Sequence, residues 1–174
     1  MTRTLLISCS GPDRVGVVAA LTGRLFDLGL NLGDTSFAVL GTAFEFNAIA
    51  ETSTDIQNAD VAAALETLDE LQGCTLDVSE FRYDTRHTAT ARRTHRIRVS
   101  GGDQPGLIAR LTEAFVEFDA NIVRLNSQHH VAGGRQIYTT HFDVALNPDR
   151  AEACLAAVSN TAQQLQLECS WEDI

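Results

Sequence analysis

Cys9-Ser10-Gly11-Pro12-Asp13-Arg14-Val15-Gly16-Val17 has a second copy in the same chain, ninety positions on: Val99-Ser100-Gly101-Gly102-Asp103-Gln104-Pro105-Gly106-Leu107. The alignment runs without a gap from Thr4/Thr94 to Ser36/Asn126. Ten of its positions are identical: Thr4/Thr94, Ile7/Ile97, Ser10/Ser100, Gly11/Gly101, Asp13/Asp103, Gly16/Gly106, Ala19/Ala109, Leu21/Leu111, Thr22/Thr112 and Asn31/Asn121. Ordinary residue frequencies give roughly two by chance. The chain therefore carries an internal repeat, and any fold proposed for it has to be built twice.

Working outward from the first copy, Thr4 to Ser10 is a short apolar run that ends in Gly-Pro-Asp, the pattern of a buried strand entering a turn. Asp13 suits the N-cap of a following helix. In that helix Val17, Leu21, Leu25 and Leu28 form one apolar stripe, and Gly29 stops it. From Asn31 the period changes to two. A turn at Gly41-Thr42 sets Val39 opposite Phe44 and Phe37 opposite Phe46, so a hairpin is expected. Val61, Leu65 and Leu68 then mark a helix over 58–71, and 74–83 reads as a strand through Leu76, Val78 and Phe81.

The second copy repeats this order. Its helix stripe is Leu107, Leu111, Phe115 and Phe118, and a hairpin turns at Gly133-Gly134. A second helix begins at Asn147-Pro148, and Leu165, Leu167 and Cys169 alternate in a final strand. The prediction is an α+β chain of two tandem ferredoxin-like βαββαβ units, each with an antiparallel four-stranded sheet in the order 4-1-3-2. The expected boundaries are 1–83 for the first domain, 84–93 for a linker and 94–174 for the second domain. In each sheet the second and fourth strands are edges, which need covering or pairing.

Composition narrows the chemistry. The net charge is −10, and all 13 basic residues are Arg, so lysine-dependent catalysis is excluded. An acidic chain also lacks the basic footprint that direct nucleic-acid binding rests on. Arg82, Arg86, Arg92, Arg93, Arg96 and Arg98 crowd the middle of the sequence, and two readings stand for them. They are a solvated linker balanced by acidic neighbours, or an anion or partner contact. The cysteines Cys9, Cys74, Cys154 and Cys169 lie far apart and read as small buried apolar residues. No apolar run is long enough for a membrane span and the N-terminus does not resemble a signal peptide, so the expected location is the cytoplasm.

His129, His130 and His141 invite a metal reading. The Gly133-Gly134 turn pairs His129 with Tyr138, His130 with Ile137 and Asn126 with His141, which points His129 away from the other two. No metal site, no cofactor and no catalytic residues are expected. Phe81, Tyr83 and Trp171 are expected to pack on strands.

The segments Gly11-Pro12-Asp13-Arg14-Val15-Gly16-Val17-Val18 and Gly101-Gly102-Asp103-Gln104-Pro105-Gly106-Leu107-Ile108 are each followed by a helix. Gly29-Leu30-Asn31-Leu32 or Asp119-Ala120-Asn121-Ile122 comes next, and the whole resembles the signature of ACT domains. The phrase Leu40-Gly41-Thr42-Ala43-Phe44-Glu45-Phe46, with the total length and the acidic first unit, is similar to the glycine cleavage system repressor group of that family. The resemblance implies a non-enzymatic regulatory protein that binds a small ligand, an amino acid such as glycine or serine, at ACT interfaces and modulates a protein partner. It also implies a homodimer, with no direct nucleic-acid and no membrane contact.

Carried over by position, the ligand-binding candidates are Asp13, Arg14, Gly16 and Asn31 in the first unit, and Asp103, Gln104, Gly106 and Asn121 in the second. The chemistry is suitable, because glycine lets backbone N–H groups approach a ligand, a helix N-terminus favours a carboxylate and a carboxamide both donates and accepts. Helix capping by each Asp and helix closure by each Asn are also open readings. The first unit has Val15 where the motif has Pro, so its loop is expected to be less rigid and the second site the better one. The alternative function is a ligand-free assembly module for an enzyme or another regulator.

Overall fold

The structure is a computed structural model that describes residues 2–174. The chain divides into two units, one ending at Tyr83 and the other running from Asp84 to Ile174. The first contains β1 (Arg3–Pro12), α1 (Val17–Asp27), β2 (Asn31–Leu40), β3 (Ala43–Thr52), α2 (Asn58–Glu66), a 3-10 turn at Asp69–Leu71 and β4 (Thr75–Glu80). The second opens on a 3-10 turn at Ala89–Ala91 and continues through β5 (His95–Gly101), α3 (Leu107–Glu117), β6 (Asn121–Ala132), β7 (Arg135–Ala145), α4 (Ala151–Gln164) and β8 (Glu168–Asp173). The sheets have the orders β2-β3-β1-β4 and β6-β7-β5-β8, all pairs antiparallel.

Alternation decides which face of each sheet is covered. Leu5, Ile7 and Cys9 of β1, with Phe44, Phe46, Ala48 and Ala50 of β3, point to one side and are buried. Val17, Leu21 and Leu25 of α1 and Val61 and Leu65 of α2 close over them. The second unit has its own core. Ile97, Val99, Phe142 and Val144 meet Leu107, Leu111 and Phe115 of α3 and Leu155 and Val158 of α4. Each buried side chain of this size contributes about 1.5–3 kcal/mol.

The hairpin register is the one the turn at Gly41-Thr42 demands, with Val39 opposite Phe44 and Phe37 opposite Phe46. The two members of each pair differ in burial. Phe44 and Phe46 lie under the helices, while Phe37 and Val39 remain 42% and 49% exposed because β2 is an edge strand. In the second unit His129 pairs with Tyr138, His130 with Ile137 and Asn126 with His141, as the Gly133-Gly134 turn requires.

Four local expectations are corrected. Asp13 does not cap α1; Gly16 is the N-cap, at φ +96°, and no side chain caps the helix. The helix expected over 58–71 ends at Glu66. There the Thr67 hydroxyl donates back to the Ala64 carbonyl at 2.7 Å, and Arg24 reaches the same carbonyl at 3.0 Å. Asn147-Pro148 forms a turn ahead of α4, which starts at Ala151. Tyr83 lies beyond the end of β4, 81% exposed and edge-on against Phe81, so it does not pack on a strand, whereas Trp171 is a β8 residue paired with Ile97.

Candidate functional site

In the first unit Asp13, Arg14 and Gly16 share the loop from β1 to α1. The Asp13 backbone N–H donates to the Thr42 carbonyl at 2.9 Å, which ties the loop to the tip of the β2–β3 hairpin. The Arg14 guanidinium donates to the Glu70 carbonyl at 3.1 Å and so satisfies the 3-10 turn after α2. The Asp13 carboxylate has no side-chain partner among the described residues. Gly16 offers no capping oxygen; the Val17 N–H turns back to the Arg14 carbonyl at 3.5 Å, and no side chain caps the N–H groups of Val18 and Ala19 that follow.

The second unit repeats the arrangement with different chemistry. Gly106 is again the N-cap, at φ +78° and uncapped by any side chain. Gln104 donates from Nε2 to the Leu165 carbonyl at 2.7 Å, holding the end of α4 as Arg14 holds the turn after α2. Asp103 faces His129 across 4.0 Å, and the His129 ring lies 4.7 Å from that of Tyr138. The Asn121 carboxamide donates to the Thr90 carbonyl at 2.7 Å, so the segment ahead of β5 engages its nitrogen.

Within one unit these groups are not all gathered. Asp13, Arg14 and Gly16 stand at the N-terminal end of α1, whereas Asn31 opens β2 just beyond its C-terminal end. The 11 residues of α1 separate them by about 16 Å. The same holds for Gly106 and Asn121 across α3. Asn31 makes no side-chain hydrogen bond among the described residues, in contrast to Asn121.

Gly16 allows a direct measurement of the strain this loop needs. An added Cβ would meet nothing closer than Glu70 Cγ at 3.9 Å, so only the left-handed backbone opposes it. Gly16→Ala should therefore lower the unfolding free energy in urea by about 1–2 kcal/mol. A neutral substitution would show that the loop relaxes without its left-handed turn.

Other chemistry is sparse. All four thiols are free, and Cys9 is buried. Burial, with Cys74 beside it, pushes the Cys9 thiol up to about 12, so it stays protonated and unreactive at neutral pH. Among the described residues no group of three or more His, Cys, Asp or Glu side chains could hold a metal ion. No helix of the described residues is long and apolar enough to cross a membrane.

Sequence reading missed one charged centre. Asp143 of β7 is 2% exposed, yet it lies on the sheet face opposite the helices. Arg96 grips it with two bonds of 2.7 and 3.1 Å, and Arg93 adds a third at 3.1 Å. The Arg96 guanidinium is the main cause that holds the Asp143 carboxyl below its usual range, against the opposing effect of burial. The signal was split between an arginine-rich stretch and an aspartate some 50 residues later, and only the β5–β7 register joins them.

Residues 3–79 match the family model described as the ACT domain. The chain is 28% identical over 152 residues to the glycine cleavage system transcriptional repressor of Escherichia coli (strain K12), an alignment spanning 86% of this chain and 77% of that protein. Among solved structures, an unknown protein from Galdieria sulphuraria superposes with a TM-score of 0.79 at 22% identity, covering 100% of this chain and 99% of its own. A candidate glycine cleavage system transcriptional repressor follows at a TM-score of 0.64 and 17% identity, covering 100% and 98%. These two likenesses speak to the fold alone.

Proposed function

We propose, for a chain that is an ACT-domain protein with two tandem ACT-like sheets, the role of a non-enzymatic regulator that binds a small amino acid and modulates a protein partner. The observation that carries this reading is the pair of helix N-termini behind Gly16 and Gly106, both turned by left-handed glycines and both without a side-chain cap. Uncapped N–H groups at a helix start favour a carboxylate. Asn31, with its carboxamide uncommitted, is suited to the ammonium and carboxylate of the same zwitterion. Since about 16 Å separates these groups within a unit, a small ligand touching both takes one of them from a second copy of the chain.

This reading favours the first unit as the main site. Asn121 and Gln104 each already commit an amide N–H, to Thr90 and Leu165, while among the described residues Asp13 and Asn31 have no side-chain partner. The likeness to the Escherichia coli repressor supports glycine metabolism as the setting and glycine or serine as the ligand. At a net charge of −10, any effect on transcription passes through another protein rather than through DNA contact.

Isothermal titration with glycine and with serine tests the proposal. Saturable heat is expected from at least one of them, weakened tenfold or more in Asn31→Ala, with no retardation of duplex DNA in a gel. Absence of heat with both, or a DNA shift, would overturn it. A second reading, a ligand-free assembly module, draws on Phe37, Val39 and Leu40, which edge strand β2 leaves exposed. It predicts self-association that neither amino acid alters, which light scattering detects.

A further inference from the structure

The face of the second sheet that the helices leave open is ordered in rows set by strand register. One row runs Asn126, His141, Arg98, Ser170, and the next runs Arg124, Asp143, Arg96, Glu172. Between them lies a recess of about 200 Å³ lined by Arg96, Arg98, His141, Ser170, Trp171 and Glu172. In the second row Asp143, Arg96 and Glu172 answer one another, while Arg124 on edge strand β6 makes no hydrogen bond or ion pair among the described residues. Asp143 is clasped by Arg96 and Arg93, and Arg96 keeps Nη1 at 3.8 Å from Glu172.

In the first row Arg98 is not answered. Its direct neighbours across the ladder are an imidazole and a hydroxyl, and it makes no hydrogen bond or ion pair among the described residues. Neither His141 nor Ser170 gives a guanidinium a counter-charge, so the sheet's own pairing does not explain an arginine there. Four guanidiniums, those of Arg93, Arg96, Arg98 and Arg124, share this face with Asp143 and Glu172. The result is a locally basic spot on a chain whose net charge is −10.

We infer that this recess binds a short dicarboxylate. Arg98 takes one carboxylate in the two-pronged geometry that guanidinium and carboxylate share, with His141 and Ser170 as flanking hydrogen-bond partners. Residues two apart on a strand are about 7 Å apart, so Arg96, held in place by Asp143, shares its Nη1 edge, 3.8 Å from the exposed Glu172, with the second carboxylate. Fixing Arg96 and Arg93 on Asp143 before any ligand arrives pre-organises one wall of the site. The inference does not rest on the amino-acid site proposed above, since it uses none of the loop residues.

Succinate, acetate and inorganic phosphate titrated into the full chain at constant ionic strength test it by calorimetry. Succinate is expected to bind saturably and at least tenfold more tightly than acetate. Arg98→Gln should abolish the succinate heat, while Arg110→Gln, on α3 and outside the recess, should leave it unchanged. Glycine should not compete. No succinate heat, equal heats from succinate and acetate, or an Arg98→Gln variant that binds like the parent would each overturn the inference. Phosphate binding more tightly than succinate would also overturn it, by replacing a dicarboxylate with a single oxyanion. Circular dichroism of Arg98→Gln shows that loss of binding is not loss of folding.

Discussion

Asp143→Ala should lower the unfolding free energy by about 2–3 kcal/mol, read from urea denaturation at neutral pH. Removing one member of a buried ion pair generally costs more, about 3–5 kcal/mol, because the partner charge is stranded. Here Arg96 and Arg93 keep 39% and 45% of their side chains exposed, so water takes back part of that charge and the figure is reduced. Asp143→Asn keeps the shape and loses only the charge, and a loss of about 1–2 kcal/mol is expected.

The pH dependence follows from the sign of the shift. The folded-state pKa of Asp143 lies below the ordinary 3.8, chiefly through its bonds to Arg96. Its stabilising contribution is therefore complete above the unfolded pKa and is lost as pH falls through the folded value. Below about pH 4 the parent should lose stability that Asp143→Asn has already given up, so the two curves converge toward acid. Parallel curves down to pH 2 would mean that the carboxylate is not held by these arginines.

Gly11→Ala is expected to be as damaging, by about 2–3 kcal/mol, for a steric reason. A Cβ on Gly11 would collide with Cys74 Sγ and lie 2.9 Å from Cys74 Cα, so backbone as well as side chain must move where β1 leads into its loop. The equivalent Gly101→Ala meets the Leu167 Cδ2 methyl at 2.6 Å but its Cα only at 3.4 Å. A methyl at the end of a side chain can swing away, and the loss there should be smaller. Cys74→Ala in the Gly11→Ala background removes the sulfur and leaves the Cα, so it should restore only part of the stability. Full rescue, or equal losses at Gly11 and Gly101, would contradict this account.

The sequence shows the fold most clearly where a local rule acts in both halves. Phe37 and Val39 against Phe44 and Phe46, and His129 against Tyr138, follow from two glycine-containing turns and the two-residue period of a strand. The stripe Val17, Leu21, Leu25 and its counterpart Leu107, Leu111, Phe115 are buried as their spacing requires. What sequence could not show depends on long-range partners. Leu68 continues a helical spacing, but the Thr67 hydroxyl and Arg24 terminate α2 before it. Asp13 looked like a cap because aspartate is a good one, yet the chain needs two more residues before turning and uses Gly16.

The candidate site was partly legible for the same reason. The repeat marked Asp13, Gly16 and Asn31 with their counterparts, but it could not tell which side chains the fold already employs. Arg14 and Gln104 brace the ends of the second helical segments, and Asn121 is held by Thr90. Arg98 gave no signal of its own, since its isolation appears only when β5 is placed between β7 and β8.

The central claim is that a small amino acid meets the start of α1 and the start of β2 in one binding event. Backbone amide NMR of the 15N-labelled chain, titrated with serine and with glycine, tests it most directly. The account predicts saturable shifts at Gly16, Val17 and Val18 together with Asn31 and its side-chain amide, following one binding curve. Shifts confined to one of these two groups, or none at millimolar ligand, would contradict it.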